Sequence, residues 1–266
     1  MAGCAFIIAL SGCASPAVAV VSTAITTAAA TNESTTPPKQ EQAPRTRARA
    51  HTELAASYYE LGNMAVALEE VKEAISSDAD YGPAYNVAGL IYADLKEDQL
   101  AQENFQRALR IDATDSDANN NYGRFLCDRR REAEAIKYFL AALRNPLYQT
   151  PDRSYVNAGL CTLRQGDVAG AESYFMQALK VRPTHPQALY QLADIAYGRG
   201  DAQQAKDYLL RLDKVAAPTS AEVLWLWLRV ERKLGDRNAE ASYAAQLRRS
   251  FPDSKEASAL LAGRYE

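Results

Sequence analysis

Small and large apolar residues recur along this chain with a period close to 34 residues. A small residue returns at steps of 34, 34, 36 and 34 residues at Ala67, Ala101, Ala135, Ala171 and Ala205. A second small residue follows it at Ala74, Ala108, Ala142 and Ala178, and a bulky apolar residue stands between the two at Val71, Phe105, Phe139, Phe175 and Leu209. This spacing places all three residues on one face of an α-helix, where the small residues admit a neighbouring helix and the bulky one fills the gap.

Turn signals divide each period into two helices. The signals are Gly62-Asn63, Gly166-Asp167, Gly200-Asp201 and Gly235-Asp236. Glycine accepts the left-handed conformation that ends a helix, and the following Asn or Asp can cap the next helix. The second and third units turn without glycine, through Lys96-Glu97-Asp98 and through residues 128–131, so we expect polar side-chain caps there.

A two-helix unit of 34 residues is typical of tetratricopeptide repeats. We therefore predict an all-α tetratricopeptide superhelix of five to six repeats over residues 48–266. The predicted repeats are 48–81, 82–115, 116–149, 152–185, 186–219 and a degenerate sixth at 221–251. A C-terminal capping helix is predicted at 253–263, opened by Asp253 with Glu256 completing a capping box. We interpret Trp225 and Trp227 in the sixth unit as core residues.

The N-terminus resembles a bacterial lipoprotein leader. The apolar run Phe6–Leu10 leads into Leu10-Ser11-Gly12-Cys13, which matches a lipobox. We predict a signal peptide at 1–12 and acylation of Cys13, with an ordinary leader and a free cysteine as the alternative. No Lys or Arg precedes the run, which leaves open an initiation site further upstream or a truncated sequence.

The segment 13–47 is rich in Ala, Thr, Ser and Pro and is predicted to be a disordered tether that follows the lipidated cysteine. Ala14, rather than Asp, follows Cys13, which in lipoproteins of Gram-negative bacteria implies export to the outer membrane. We therefore expect a protein anchored by lipid to the periplasmic face of that membrane.

Two further cysteines, Cys127 and Cys161, fall on the first helices of adjacent units. In an oxidising periplasm they can form a disulfide across units three and four. The alternative is a pair of buried free thiols, because neighbouring helices normally lie ~8–10 Å apart, which is wide for a bridge. Both alternatives remain open from the sequence.

The remaining composition gives no sign of catalysis. Lys and Arg number 30 against 33 Asp and Glu, so no basic surface for nucleic acid is indicated. The two histidines, His51 and His185, stand in no arrangement typical of a metal site or a nucleophile, and no phosphate-binding glycine loop occurs. We therefore predict a protein that is not an enzyme and has no cofactor, metal or small-molecule substrate.

Two runs give a more specific resemblance. Residues 119–127 (NNNYGRFLC) and 155–161 (YVNAGLC), together with the Phe251–Ser254 ending, resemble the PilF/PilW family of type IV pilus biogenesis lipoproteins. The chain departs from that family at Arg124. The resemblance implies a pilotin, which binds secretin subunits and promotes their assembly into the pilus exit ring. A general periplasmic tetratricopeptide scaffold, for example in cell-wall assembly, is the alternative function.

First helices of tetratricopeptide units line the groove in which partner segments bind. Ten residues of this chain are predicted to form a partner-binding surface in this groove, with a solvated or packing role as the alternative for each single residue. They are Tyr59, Asn86, Leu90, Asn120, Arg124, Val156, Leu160, Tyr190, Asp194 and Tyr197. Thr52, Asp94 and Arg153 are predicted to share this face.

Overall fold

The computed structural model describes residues 43–215 and 220–265, which fold entirely as α-helices and connecting turns. The helices are α1 (Ala43–Glu60), α2 (Met64–Ser77), α3 (Gly82–Asp94), α4 (Asp98–Ile111), α5 (Ser116–Asp128), α6 (Glu132–Ala142), α7 (Pro151–Arg164), α8 (Val168–Val181), α9 (Pro186–Gly198), α10 (Ala202–Asp213), α11 (Ala221–Leu234), α12 (Arg237–Ser250) and α13 (Lys255–Leu261). This confirms the predicted all-α fold.

Each odd-numbered helix from α1 to α11 packs against the helix that follows it, which gives six helix–turn–helix pairs. The second helix of each pair then contacts the first helix of the next pair, and α13 packs on both α11 and α12. The predicted signal peptide, Cys13 and the tether up to residue 42 lie outside the described residues, as does the segment 216–219 of the fifth predicted repeat.

The pattern of small and bulky residues forms the core of the stack. All of the alternating alanines and the bulky residues between them are at most 3% exposed. In the second to fourth pairs the bulky residue lies against a glycine of the first helix. A Cβ added to Gly123 would lie 2.7 Å from the ring of Phe139, and Gly89 and Gly159 face Phe105 and Phe175 in the same way. Glycine is therefore required where phenylalanine is the bulky residue.

The four predicted glycine turns are confirmed. Gly62, Gly166, Gly200 and Gly235 have φ angles of 76°, 82°, 92° and 85°. The side chains of Asn63, Asp167, Asp201 and Asp236 each accept a hydrogen bond from the backbone N–H three residues later, which caps the second helix of the pair. Each glycine thus ends one helix while its neighbour begins the next.

The two turns without glycine do not use polar caps, so that expectation was wrong. Lys96 and Arg130 adopt the left-handed conformation themselves, with φ angles of 66° and 61°. Glu97 and Arg131, the residues at the N-cap positions, make no side-chain cap hydrogen bond. The Glu97 N–H donates to the Tyr92 carbonyl at 2.9 Å, as the Asn63 N–H does to Tyr58. The backbone closure is therefore the same as in the glycine turns, and a side chain is tolerated in a disfavoured conformation.

Both ends of the helical region differ from the sequence-based boundaries. Helix α1 begins at Ala43, within the segment that we assigned to the tether, and the Arg45 guanidinium lies 3.4 Å from the Asp78 carboxylate and over the Tyr81 ring. Ser254, and not Asp253, caps the final helix by accepting from the Ala257 N–H. The contacts of Arg45 with the turn between α2 and α3 explain why α1 begins further toward the N-terminus than the repeat pattern indicates.

The two tryptophans are core residues, as interpreted from the sequence. Trp227 is 1% exposed and stacks on Tyr243, and Trp225 is 9% exposed and stacks on Tyr265. The second contact attaches the C-terminal residues to the last helix pair, which covers the apolar end of the stack.

Candidate partner-binding surface

The first helices of successive pairs form a row. Helix α1 contacts α3, α3 contacts α5, α5 contacts α7, and α9 contacts α11. All ten residues predicted to face a partner lie on helices of this row. We define the first-helix face as the exposed and half-buried residues on this side of the row. It comprises Tyr59, Leu90, Asp94, Asn121, Arg124, Arg153, Asn157, Leu160, Tyr190, Asp194 and Tyr197.

Exposure separates the ten predicted residues into two groups. Arg124 is exposed, and six others are half-buried, namely Tyr59, Leu90, Leu160, Tyr190, Asp194 and Tyr197. Asn86, Asn120 and Val156 are only 8%, 2% and 5% exposed. These three side chains are therefore mostly part of the scaffold beneath the first-helix face and offer little surface to a partner.

Asn120 is buried because it joins two helices. Its side-chain oxygen accepts hydrogen bonds from Ser154 Oγ at 3.0 Å and from Asn157 Nδ2 at 2.9 Å, both on α7. Its own amide nitrogen donates to Asn121 Oδ1 at 3.4 Å, and Asn121 Nδ2 donates in turn to Asn86 Oδ1 on α3 at 3.1 Å. A continuous chain of amides therefore crosses from α3 through α5 to α7 and satisfies buried polar groups that would otherwise be costly.

The same two helices, α5 and α7, are joined covalently. Cys127 and Cys161 form a disulfide with a Cα–Cα distance of 5.9 Å. The Cα atoms of the two cysteines are therefore within the range of a disulfide, although the usual spacing of neighbouring helices is wider. Arg164 reinforces the junction: its Nη1 donates to the Cys127 carbonyl at 3.0 Å and lies 3.1 Å from Asp128 Oδ1.

A polar cavity of about 200 Å³ opens on the first-helix face where α5 and α7 meet. Its lining comprises Asn120, Asn121, Arg124, Arg153, Val156, Asn157 and His185. Arg124 and Arg153 are exposed, and neither forms a salt bridge with a carboxylate of residues 43–215 or 220–265. The centre of the face thus carries two positive charges beside a wall of amides.

On the N-terminal side of this cavity, Tyr59 connects α1 to α3. Its hydroxyl donates to Asp94 Oδ2 at 2.6 Å. Burial and the Asp94 carboxylate raise the pKa of Tyr59, while the nearby Arg124 guanidinium opposes that shift. Tyr59 therefore stays neutral and presents an aromatic surface next to a charged one.

On the C-terminal side, aromatic side chains replace the amides. The Arg229 guanidinium on α11 lies 4.6 Å from the ring centre of Tyr197 and 6.0 Å from that of Trp225, and it pairs with Asp194 at 3.3 Å. Burial, together with the Asp194 carboxylate, raises the pKa of Tyr190 to about 12. Lys233 Nζ also lies 5.5 Å from the Tyr197 ring centre, so this end of the face is aromatic with cations packed on its rings.

Comparison of the chain with known proteins identifies its protein family. Tetratricopeptide repeat models match residues 48–81, 82–115 and 162–224. The type IV pilus assembly protein PilF of Pseudomonas aeruginosa is 30% identical over 207 residues, which span 78% of this chain and 82% of that protein. The chain belongs to the PilF/PilW family.

Two solved structures extend this result to the fold of the PilF/PilW family. The crystal structure of PilW, a widely conserved type IV pilus biogenesis factor, superimposes with a TM-score of 0.73 and 34% identity over 80% of this chain and 98% of that one. The Pseudomonas aeruginosa PilF structure gives a TM-score of 0.78 and 28% identity over 83% and 99%. The family resemblance inferred from the two cysteine-bearing runs is therefore confirmed.

The two histidines of the chain fall within the described residues, and each lies beside a carboxylate. Over these residues no group of three or more His, Cys, Asp or Glu could hold a metal ion. The His51 ring lies 2.6 Å from Glu70, and the His185 ring packs near Asp152. A tetratricopeptide scaffold of this family favours protein interaction over catalysis.

The structure bears only in part on the membrane and site predictions. Within 43–215 and 220–265, no helix has both the length and the apolar character that crossing a bilayer requires. Cys13, the predicted acylation site, lies outside the described residues. Sequence reasoning placed Arg153 on this face, where it lines the cavity, but missed Asn121 and Asn157. Their position one helical turn from Arg124 and Leu160 was a signal that could have found them.

Proposed function

We propose that this PilF/PilW-family protein is a pilotin: an outer-membrane lipoprotein that binds subunits of the type IV pilus secretin and promotes their localisation or assembly. The observation that carries the proposal is its similarity to PilW, a type IV pilus biogenesis factor, over almost the whole of that structure. The first-helix face supplies the binding surface, and Cys13 supplies the attachment to the membrane.

The composition of the first-helix face suits a protein segment. Half-buried Leu90, Leu160, Tyr190 and Tyr197 give apolar and aromatic area that a partner can cover, and such residues dominate binding energy in protein interfaces. The face is also continuous along stacked helices, which is the geometry that repeat proteins use to hold extended or helical segments.

Membrane attachment follows from the lipobox. Acyl chains on Cys13 contribute about 0.8 kcal/mol per buried methylene, so two or three chains hold a protein at a bilayer for long periods. The repeat body would then act on secretin subunits at the periplasmic face of the outer membrane.

The experiment that tests the function compares outer membranes of cells that carry or lack this protein. Heat-stable secretin multimers are quantified by gel electrophoresis after fractionation. We expect the multimers to be lost or to move to the inner membrane when the protein is absent. An unchanged amount and location of the multimers would contradict the proposal and would favour a general periplasmic scaffold.

A second experiment tests the anchor alone. The Cys13→Ser variant is expected to keep the helical circular dichroism spectrum and to lose sedimentation with membranes, because it lacks the acylated residue. Cys4 follows Gly3 but lacks the preceding apolar residue of a lipobox, so Cys4→Ser serves as the matched control and should sediment as the wild type does. Retained membrane association of Cys13→Ser would contradict the lipid anchor.

A further inference from the structure

The cavity between α5 and α7 combines positive charge with a fixed framework. Arg124 and Arg153 are contributed by different helices, and both line the same opening of about 200 Å³. Arg124 contacts the Tyr59 hydroxyl, which itself donates to Asp94, so the Asp94 carboxylate lies on the far side of that hydroxyl and forms no salt bridge with Arg124. An arginine guanidinium has five N–H donors in a planar fork, and most of these donors remain available in both side chains.

The two helices that carry these arginines are held together more firmly than a packing contact alone would hold them. The disulfide between Cys127 and Cys161 and the hydrogen bonds of Asn120 to Ser154 and Asn157 all join α5 to α7. A binding group on such a frame loses little conformational freedom when a ligand arrives, which increases affinity.

The cavity also contains a polar side chain without a partner. The His185 side chain is 10% exposed, and its Nδ1 atom makes no hydrogen bond within the described residues. Asp152 lies 3.8 Å from His185 Nε2, which is too far for a hydrogen bond. A buried polar nitrogen without a partner is costly unless a ligand or water satisfies it.

We propose that this cavity is a carboxylate-binding site, in which Arg124 and Arg153 hold an acidic group of the partner segment. The proposal rests on the proposed function, since it names the chemical group that the first-helix face recognises in its partner. The arginine forks match the geometry of a carboxylate, and His185 and the Asn157 amide provide further polar groups for the backbone of the same segment.

A carboxylate on a polypeptide fits the surroundings better than a free anion does. Leu160 and Tyr190 lie on the same face as the cavity and are half-buried, so they can cover the apolar residues that flank an acidic one. A free phosphate would leave this apolar area in contact with water. The partner segment therefore carries Asp, Glu or a free C-terminus next to apolar residues.

The test measures the binding of full-length protein to overlapping peptides that cover the secretin sequence. Each peptide that binds is compared by fluorescence polarisation with analogues in which Asp, Glu or the C-terminal carboxylate is replaced by its amide. We expect one replacement to weaken binding about tenfold or more, as is typical of losing a charged hydrogen-bonded pair. The replaced position distinguishes a side-chain carboxylate from a C-terminal one.

The protein side of the test uses Arg124→Gln with Arg153→Gln. In this double variant the acid peptide and its amide analogue should bind equally, because the groups that discriminate between them are gone. Arg110→Gln is the matched control: Arg110 is exposed on α4, a second helix, and should leave the about tenfold discrimination intact. A general loss of folding would weaken both peptides and is checked by circular dichroism.

Three results would overturn the proposal. If wild-type protein binds acid and amide peptides equally, the carboxylate site is wrong while secretin recognition stands. If inorganic phosphate binds the wild type but not the Arg124→Gln/Arg153→Gln variant, and none of the acidic peptides competes with it, the cavity is a free-anion site. If neither the peptides nor intact secretin bind, the proposed function fails and the carboxylate site fails with it.

Discussion

The middle and the C-terminal end of the repeat body hold neighbouring first helices together in different ways. In the middle, α5 and α7 are joined by the Cys127–Cys161 disulfide and by the buried amide of Asn120. At the end, α9 and α11 meet through Arg229, which lies over Tyr197 and pairs with Asp194. The α5–α7 junction is held by a covalent bond and hydrogen bonds, whereas the α9–α11 junction depends on aromatic and ionic contacts.

The difference shows how one repeat fold can carry two kinds of surface. In the middle, the amide groups hydrogen-bond to one another and the disulfide needs no polar partner. The arginine side chains of the cavity are therefore not used to hold the helices together and remain available to a partner. At the end, Arg229 is paired with Asp194, and the exposed Lys233 ammonium lies 5.5 Å from the Tyr197 ring centre, so a carboxylate and aromatic rings accompany the cations there. A partner segment would therefore meet unpaired arginines in the middle and aromatic side chains at the end.

The inner packing and the turns differ between the same two regions. In the middle, Gly123 faces Phe139, and the turn is closed by Arg130 in a left-handed conformation. In the fifth pair, Ala193 and Leu209 occupy the equivalent positions in the core, and Gly200 closes the turn. The middle therefore has a larger bulky residue and a less favourable turn residue.

Breaking the disulfide should have the largest effect. The disulfide joins two residues that are 34 positions apart, which restricts the unfolded chain. We expect the double variant Cys127→Ala/Cys161→Ala to lower the free energy of unfolding by about 2–4 kcal/mol. Urea unfolding with and without dithiothreitol measures it. Reductant should lower the stability of the wild type and leave the double variant unchanged. A wild type that is insensitive to reductant would show that the middle does not depend on the disulfide.

Filling the glycine site should have the next largest effect. A Cβ at position 123 would lie 2.7 Å from the Phe139 ring, so Gly123→Ala is expected to cost about 1–3 kcal/mol through overpacking. Helix propensity alone would predict a gain of about 1 kcal/mol instead. Adding Phe139→Leu should recover part of the loss, because leucine is the partner of Ala193 in the fifth pair. Stabilisation by Gly123→Ala alone would contradict the packing argument.

Removing the cation at the C-terminal junction should have a moderate effect. Arg229→Met keeps an unbranched apolar stem and loses both the ring and Asp194 contacts, which should cost about 1 kcal/mol in thermal or urea unfolding. Arg110→Met, at an exposed position on α4, should stay within about 0.5 kcal/mol of the wild type. Equal effects of the two substitutions would show that the contacts of Arg229 do not stabilise the C-terminal junction.

Relieving the turn in the middle should give the smallest effect, with the opposite sign. Arg130 has a φ angle of 61°, so Arg130→Gly is expected to raise stability by about 0.5–1 kcal/mol. At the end, Gly200→Ala should instead lower stability by about 1 kcal/mol, since its φ angle is 92°. Differential scanning calorimetry compares the two. Destabilisation by Arg130→Gly would mean that contacts of the arginine outweigh its backbone conformation.

These contrasts also explain which features could be predicted from the sequence. Repeat length, the small and bulky positions, and the glycine turns depend on residues close in sequence, so helical periodicity identified them. The turns at Lys96 and Arg130 were predicted incorrectly because their side chains give no sign of a left-handed backbone. The start of α1 was also misplaced, since the contact of Arg45 with Asp78 adds stability that no repeat pattern records.

The surface was harder to predict than the core. Helical spacing placed Asn86, Asn120 and Val156 on the first helices, but burial depends on the neighbouring helix, which the sequence of one repeat does not specify. The amide chain through Asn121 and Asn157 arises only when α3, α5 and α7 are stacked. For the same reason, the charged cavity became visible only in three dimensions.

The most direct test of the central claim is the amount of heat-stable secretin multimer in outer membranes of cells that produce full-length protein with Arg124→Glu and Arg153→Glu. Arg110→Glu provides the matched charge change outside the first-helix face. We predict that multimers fall toward the level of cells without the protein in the first strain and remain normal in the second. Normal multimer levels with a stably folded Arg124→Glu/Arg153→Glu protein would contradict secretin assembly through this face.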